Sequence, residues 1–354
     1  MRTFIVGAGI LAACLLGAAM VTDAQTVLVL PRESQAAGVT QRLGITDVTI
    51  HYSRPLVHGR KIWGGLVPLG EVWRAGANEN TTIEFTDPVT VEGKPLDKGT
   101  YGLFMIPGEN EWTVIFSKNS TSWGQFTYSQ AEDALRVAVK SRPSDFHEAL
   151  TFDFDELAPD STLVTLRWEK LAVPFRVQVN VNGIAAASLK LQLRAWSRWN
   201  WESWSEAADY LVTSKGDLND ALEDAGHSIQ LEERFENLDQ KSRILDMLGR
   251  KEEAAAAHSQ ALAVANVLQL HTYGRQLQIQ GKQKEAFEIF RMNIGKHPGH
   301  WVVHSEVSRI ACANGDFDKA VAEMKLAAAG APDVYKPAFE GLVKRLEAKQ
   351  DINK

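Results

Sequence analysis

Three short segments concentrate the side chains that could bind or transform a ligand: Tyr52-Ser53-Arg54-Pro55, Gly59-Arg60-Lys61-Ile62-Trp63-Gly64 and Trp73-Arg74-Ala75-Gly76-Ala77-Asn78. Guanidinium forks pair with carboxylates, phosphates or sugar hydroxyls, and indole faces stack on sugar rings or cations. The candidate ligand-binding set is Tyr52, Arg54, Arg60, Trp63, Trp73, Arg74, Asn78, Glu79 and Thr81, directed at an anionic or carbohydrate ligand. Glu79 is the one candidate general base in this run, and a single carboxylate is thin evidence for catalysis. The competing reading is architectural: the arginines tie long loops to backbone carbonyls and to carboxylates such as Glu71, while the indoles fill a core.

Other clusters are weaker. Asp153 and Asp155, two apart on one strand face, suit a paired-acid site, but the same spacing describes the solvated face of an edge strand. His297, His300 and His304 fall in a stretch joining two helices, where polar residues are expected anyway, and His51 and His58 lack ligand-like spacing. Trp196, Trp199, Trp201 and Trp204 open the helical half and suit interdomain packing, with carbohydrate stacking as the alternative. No Gly-x-Ser-x-Gly elbow, His-Glu-x-x-His pair, phosphate-cradling loop or dinucleotide fingerprint is present. The sequence therefore assigns no catalytic residue and calls for no cofactor and no metal.

The elements that must position these side chains change character along the chain. From about residue 38 to 182 apolar residues alternate with polar ones, broken by turn residues every 8 to 12 positions, as in an all-β sandwich-like domain. The alternation predicts antiparallel strands over 47–52, 81–86, 101–106, 112–117, 135–140, 149–155, 162–169 and 175–181. Beyond Gly183 the period moves toward that of a helix, and the boundary is expected between 182 and 188. In this half a Gly is followed five residues later by an Ala four times: Gly216 and Ala221, Gly249 and Ala254, Gly281 and Ala286, Gly315 and Ala320. The glycines lie 33, 32 and 34 residues apart, as helix-turn-helix repeats require. A last amphipathic helix over 336–349 would cap the stack.

Two resemblances follow. The three arginine and tryptophan segments, with Thr81, Gly99-Thr100-Tyr101, Trp112, Trp123-Gly124 and Trp168-Glu169, resemble a domain-of-unknown-function family of secreted bacterial proteins over roughly residues 32 to 180, which makes 32–182 the expected all-β domain. That resemblance implies a context and no mechanism. The helical half, residues 190–350, resembles tetratricopeptide repeats and implies an all-α superhelix; its third repeat carries Tyr273-Gly274, Phe290 and Pro298 at the expected places, and the fourth carries Met324 and Pro332. The first two repeats lack the Pro and the bulky residue.

A chain of 354 residues, 45% hydrophobic and 23% charged, has room for two folded domains, and its net charge of -6 gives no basic footprint for nucleic acid. Arg2 and the apolar run from Phe4 to Val21 read as a secretory signal peptide over 1–24, cleaved before Gln25. Two alternatives are an uncleaved anchor and a lipoprotein signal at Leu11-Ala12-Ala13-Cys14. Cleavage leaves Cys312 as the one thiol, so no intrachain disulfide, and leaves no membrane span. The expected function is that of an exported, periplasmic or extracellular binding or scaffolding protein, with a protein partner on the repeats and an anionic or carbohydrate ligand on the β domain. The alternative is a cell-envelope enzyme or glycan-binding module built on the β-domain loops.

Overall fold

The computed structural model describes residues 30–353. The expected signal peptide and Cys14 lie outside them. The chain divides into two compact units, the first ending at Gln178 and the second running from Val179, with the four residues Leu43–Thr46 grouped with the second.

The first unit holds β1 (Gln35–Leu43), β2 (Thr46–Arg54), β3 (Thr82–Phe85), β4 (Val89–Val91), β5 (Lys94–Leu96), β6 (Gly99–Ile106), β7 (Glu111–Ser117), β8 (Asp133–Lys140), β9 (Arg142–Asp155) and β10 (Ser161–Val179). They form a sheet ordered β1-β2-β3-β6-β7-β8 and a second ordered β5-β4-β10-β9. The pairs β2 with β3, β3 with β6, β6 with β7, β7 with β8 and β9 with β10 are antiparallel. Alternation places Ile83 and Phe85 inward and Glu84 outward on β3. The sheets meet face to face: Phe116 of β7 and Phe175 of β10, both fully buried, stand edge to face at 5.8 Å. Each such side chain contributes about 1.5–3 kcal/mol by leaving water. The domain is a β-sandwich.

Two expected strands, 162–169 and 175–181, are one continuous strand, β10. Its pairing with β9 shifts register between Arg167, Glu169 and Leu171, and Glu169 adopts a φ of 56°. Such bulges interrupt alternation without ending the strand, so the sequence reads as a break there. The largely exposed β1 and the three-residue β4 and β5 were not expected, because none carries a long buried alternation.

The second unit holds ten helices among the described residues: α1 (Val181–Gln192), α2 (Trp201–Thr213), α3 (Leu218–Leu231), α4 (Phe235–Met247), α5 (Lys251–Val264), α6 (Val267–Ile279), α7 (Gln283–Lys296), α8 (Trp301–Ala313), α9 (Phe317–Gly330) and α10 (Lys336–Glu347). The pairs α2 with α3, α4 with α5, α6 with α7 and α8 with α9 pack as hairpins, and α10 covers α9. The repeat spacing has a physical origin. Gly249 donates to Asp246 O and Arg250 to Leu245 O, and the same two-bond closure recurs at Gly281 with Lys282 and at Gly315 with Asp316. All three glycines have φ between 77° and 80°, which only Gly adopts freely. The small residue five positions on is buried in every hairpin. Ser242 and Ser308, on the first helices, donate to the carbonyls of Ala254 and Ala320 at 2.8 and 2.6 Å. In the third hairpin Gly274 occupies the equivalent place, and a Cβ there would lie 2.4 Å from Phe290.

Gly216 breaks the pattern. Lys215 takes the left-handed φ of 57° and Gly216 donates to Leu211 O, so the first hairpin closes one residue earlier than the glycine spacing implies.

Candidate functional site

The long connection from Pro55 to Thr81 carries most of the sequence-predicted site. Trp73 exchanges two backbone hydrogen bonds of 2.8 Å with Met105, so the connection lies alongside β6. Between Trp73 and Thr81 the chain loops through left-handed residues Ala75 and Asn78, and buried Thr81 Oγ1 closes the loop by donating to Ala75 O at 3.1 Å. Trp63 and Trp73 join Trp112 and Trp168 in a cluster whose ring centroids lie 5.0 to 6.1 Å apart. These indoles fill the core of the sandwich.

The three arginines have separate partners. Arg54 Nε donates to Leu150 O at 3.0 Å and Nη2 to Thr151 Oγ1 at 2.9 Å, while the neighbouring Tyr52 hydroxyl accepts from Phe152 N at 3.2 Å. Both residues therefore fasten β2 to β9. Arg60 donates to the carbonyls of Val57 and Leu56 within its own loop. Arg74 Nη1 donates to Gln125 Oε1 at 2.7 Å, its guanidinium stands 6.0 Å from the Trp123 ring centre, and burial lowers its pKa.

Asn78 and Glu79 do reach a common opening. A groove of about 800 Å³ is lined by Leu30, Pro31, Arg32 and Ser34 to Ala36 of the leading segment, with Ser53, Asn78, Glu79 and Trp123. Arg32 pairs with Glu79 and holds its carboxyl below the usual range. Asn78 Nδ2 donates to Ser34 O at 3.0 Å, and the Glu79 and Trp123 backbones form a bridge. Trp123 lies parallel to Phe126, centroids 6.2 Å apart, and the two are 59% and 76% exposed. Arg32, Trp123 and Phe126 were absent from the candidate set. Trp123 stood in the sequence only as part of a family motif, and nothing local marks it as a neighbour of Glu79.

Asp153 and Asp155 share Arg167, which lies 3.9 Å from Asp153 and bonds Asp155 directly. Burial would raise the Asp155 carboxyl, but Thr165 and Arg167 hold it below the usual range. The pair is an ion-paired feature of edge strand β9.

A second groove, of about 990 Å³, lies in the helical unit along α2, α4 and α6, the first helices of three successive hairpins, with His258 of α5 at its side. Phe235, Met247, Tyr273 and Leu277 supply apolar surface, and Asp209, Glu236, Asp239 and Asp246 face Arg243 and Lys282. Arg243 pairs with Asp239 at 3.2 Å, and His258 lies 3.7 Å from Asp239 and 3.4 Å from the Tyr273 hydroxyl. Arg243, Arg275 and Arg309 sit six residues before Gly249, Gly281 and Gly315, one per first helix. At the α8 end Glu306, fully buried, lies 3.0 Å from His271 and accepts from Asn293 at 2.7 Å; burial pushes its carboxyl up.

The histidines of the α7 to α8 connection go separate ways. His300 caps α8 by accepting from Val302 N, and His304 lies 2.7 Å from Glu323. Among the described residues no group of three His, Cys, Asp or Glu side chains could hold a metal ion. Trp196 and Trp199 are 88% and 67% exposed, Trp201 carries the Arg234 guanidinium at 5.6 Å, and Trp204 donates to Arg198 O. Among the described residues no helix is long and apolar enough to cross a membrane.

A β-sandwich followed in sequence by stacked helical hairpins, each with a groove, is the class of protein these features define. Residues 34–177, within the N-terminal unit, match the family model described as Protein of unknown function (DUF2911). Solved structures similar to part of the chain include MamA (20% identity, 46% of this chain and 92% of that one, TM-score 0.28). Another is the C-terminal part of a TPR repeat-containing protein from Cytophaga hutchinsonii (12% identity, 47% and 67%, TM-score 0.32). A third is YrrB, a TPR protein with an unusual peptide-binding site (12% identity, 48% and 88%, TM-score 0.27). No curated protein matches the chain.

Proposed function

We propose that this protein is an exported binding protein whose helical array holds an extended, basic segment of another polypeptide along α2, α4 and α6. The groove of about 990 Å³ on three consecutive first helices carries the reading, because stacked hairpins present those helices as a continuous inner face for extended chains. Four carboxylates against two cationic side chains favour Lys or Arg on the partner, and four apolar or aromatic residues give it contact area. In pull-downs from envelope extracts the full chain recovers a partner that Asp239→Lys/Asp246→Lys loses. Recovery of the same partner without residues 190–354 overturns the reading.

Export rests on Arg2, the Phe4 to Val21 run and the Ala24-Gln25 junction. The intact mass of the protein from its native cell tests it: a chain starting at Gln25 supports the reading, a lipid-bearing Cys14 marks the lipoprotein route, and an unprocessed chain contradicts both.

The stacked, exposed Trp123 and Phe126 beside Asn78 and Glu79 favour a second reading for the β domain, a sugar-ring or small-anion site. A glycan and anion panel then raises the melting temperature of the parent and leaves Trp123→Ala unmoved. No shift across the panel removes this site.

A further inference from the structure

Past α10 the chain turns back onto the inner face of the array. Gln350 N donates to Arg345 O, and Arg345 Nη2 donates to Asp351 O at 2.6 Å, fixing the reversal. Ile352 is then buried to 2% exposure in a cluster with Cys312, Val343 and Leu346. Its carbonyl accepts from Arg309 Nη1 at 2.6 Å. Asn353 is held at both ends of its amide: Nδ2 donates to Arg309 O at 3.0 Å and Oδ1 accepts from Gln278 Nε2 at 2.9 Å.

The residues that hold this segment occupy repeat positions. Arg309 is equivalent to Arg243, and Gln278, three residues before its hairpin glycine, is equivalent to Asp246. Both equivalents line the open groove. A main-chain carbonyl on an inner-face arginine, an aliphatic side chain driven into the stack and an amide on the next helix's polar residue are the contacts of a bound extended peptide.

We infer that Gln350–Asn353 is an intramolecular peptide ligand that closes the α6 and α8 end of the inner face, and that releasing it uncovers a second station for an extended segment with an aliphatic residue followed by an amide. The inference rests on reading the array as a peptide binder. The station differs from the α2, α4 and α6 groove, so the tail can fail to exchange while Asp239 and Asp246 still govern partner capture, and the reverse.

The probe is a fluorescein-labelled synthetic peptide with the sequence of residues 345–354, titrated by anisotropy. The full chain is expected to leave it free. The chain ending at Lys349 is expected to bind it saturably, and Arg309→Gln in that chain or Ile352→Ala in the peptide is expected to weaken binding at least about tenfold, the loss of one buried, well-made contact. Equal binding by the full chain, or none by a shortened chain that still unfolds cooperatively, overturns the inference. If the shortened chain does not fold, the full chain with Ile352→Asp takes its place with the same probe. Failure of both to fold makes the tail an integral part of the core and also overturns it.

Discussion

Gln240 of α4 and Ser205 of α2 hold each other twice: Gln240 Nε2 donates to Ser205 O at 2.8 Å, and Ser205 Oγ donates to Gln240 Oε1 at 3.0 Å. Gln240 is 2% exposed and lines the inner groove, so this pair sets how the first helices of two successive hairpins meet beneath the surface offered to a partner.

Gln240→Ala removes both bonds and takes the acceptor from the Ser205 hydroxyl. The expected cost is about 1–3 kcal/mol, read as a lower urea midpoint. An unchanged midpoint would mean that the hairpins stack without this pair.

Two helical glycines should respond to the same substitution with opposite signs. Gly274→Ala drives a Cβ to 2.4 Å from Phe290 and should destabilise by about 1–3 kcal/mol despite the better helix propensity of Ala. Around Gly226 of α3 nothing lies within 4 Å, and Gly226→Ala should stabilise by up to about 1 kcal/mol. Parallel thermal unfolding of the two variants decides the matter, and equal shifts would contradict the packing described.

In the sandwich, Arg54→Met should cost about 1–3 kcal/mol, because it breaks the ties to Leu150 and Thr151. Trp123→Ala, at an exposed ring, should leave denaturant stability within about 0.5 kcal/mol. A stability-neutral Arg54→Met would reopen a ligand role for that guanidinium.

Much of the helical unit was legible because its signals are local. A glycine that ends one helix and an alanine that lets the next approach lie five residues apart, so spacing alone gives four hairpins. Lys215 escaped because a left-handed lysine carries no sequence mark. The β domain was less legible for the same reason inverted: Arg54 meets Leu150, 96 residues away, and Arg32 meets Glu79, 47 away. Local chemistry identified Arg54, Arg74 and Glu79 as notable residues but could not say that Arg54 fastens strands while Glu79 reaches a groove with Trp123.

Burial and the neighbouring Asp220 and Glu223 push the Asp224 carboxyl up to about 6, against 3.8 for an ordinary aspartate. The folded state therefore holds a proton that the unfolded chain releases, and this contribution is present below about pH 3.8 and lost as the pH rises through about 6. Asp224→Asn should melt above the parent at pH 7.5 and level with it near pH 3.5. A pH-independent difference between the two would contradict the shift.

Site-specific photocrosslinking in the native cell tests the central claim most directly. A photoreactive residue at Met247, in the groove, should form an adduct with one partner protein, and Asp239→Lys/Asp246→Lys should abolish it; the same residue at exposed Glu288, on the second helix of its hairpin, should form none. An adduct from Glu288 with none from Met247 would place the partner on the other face and contradict the account.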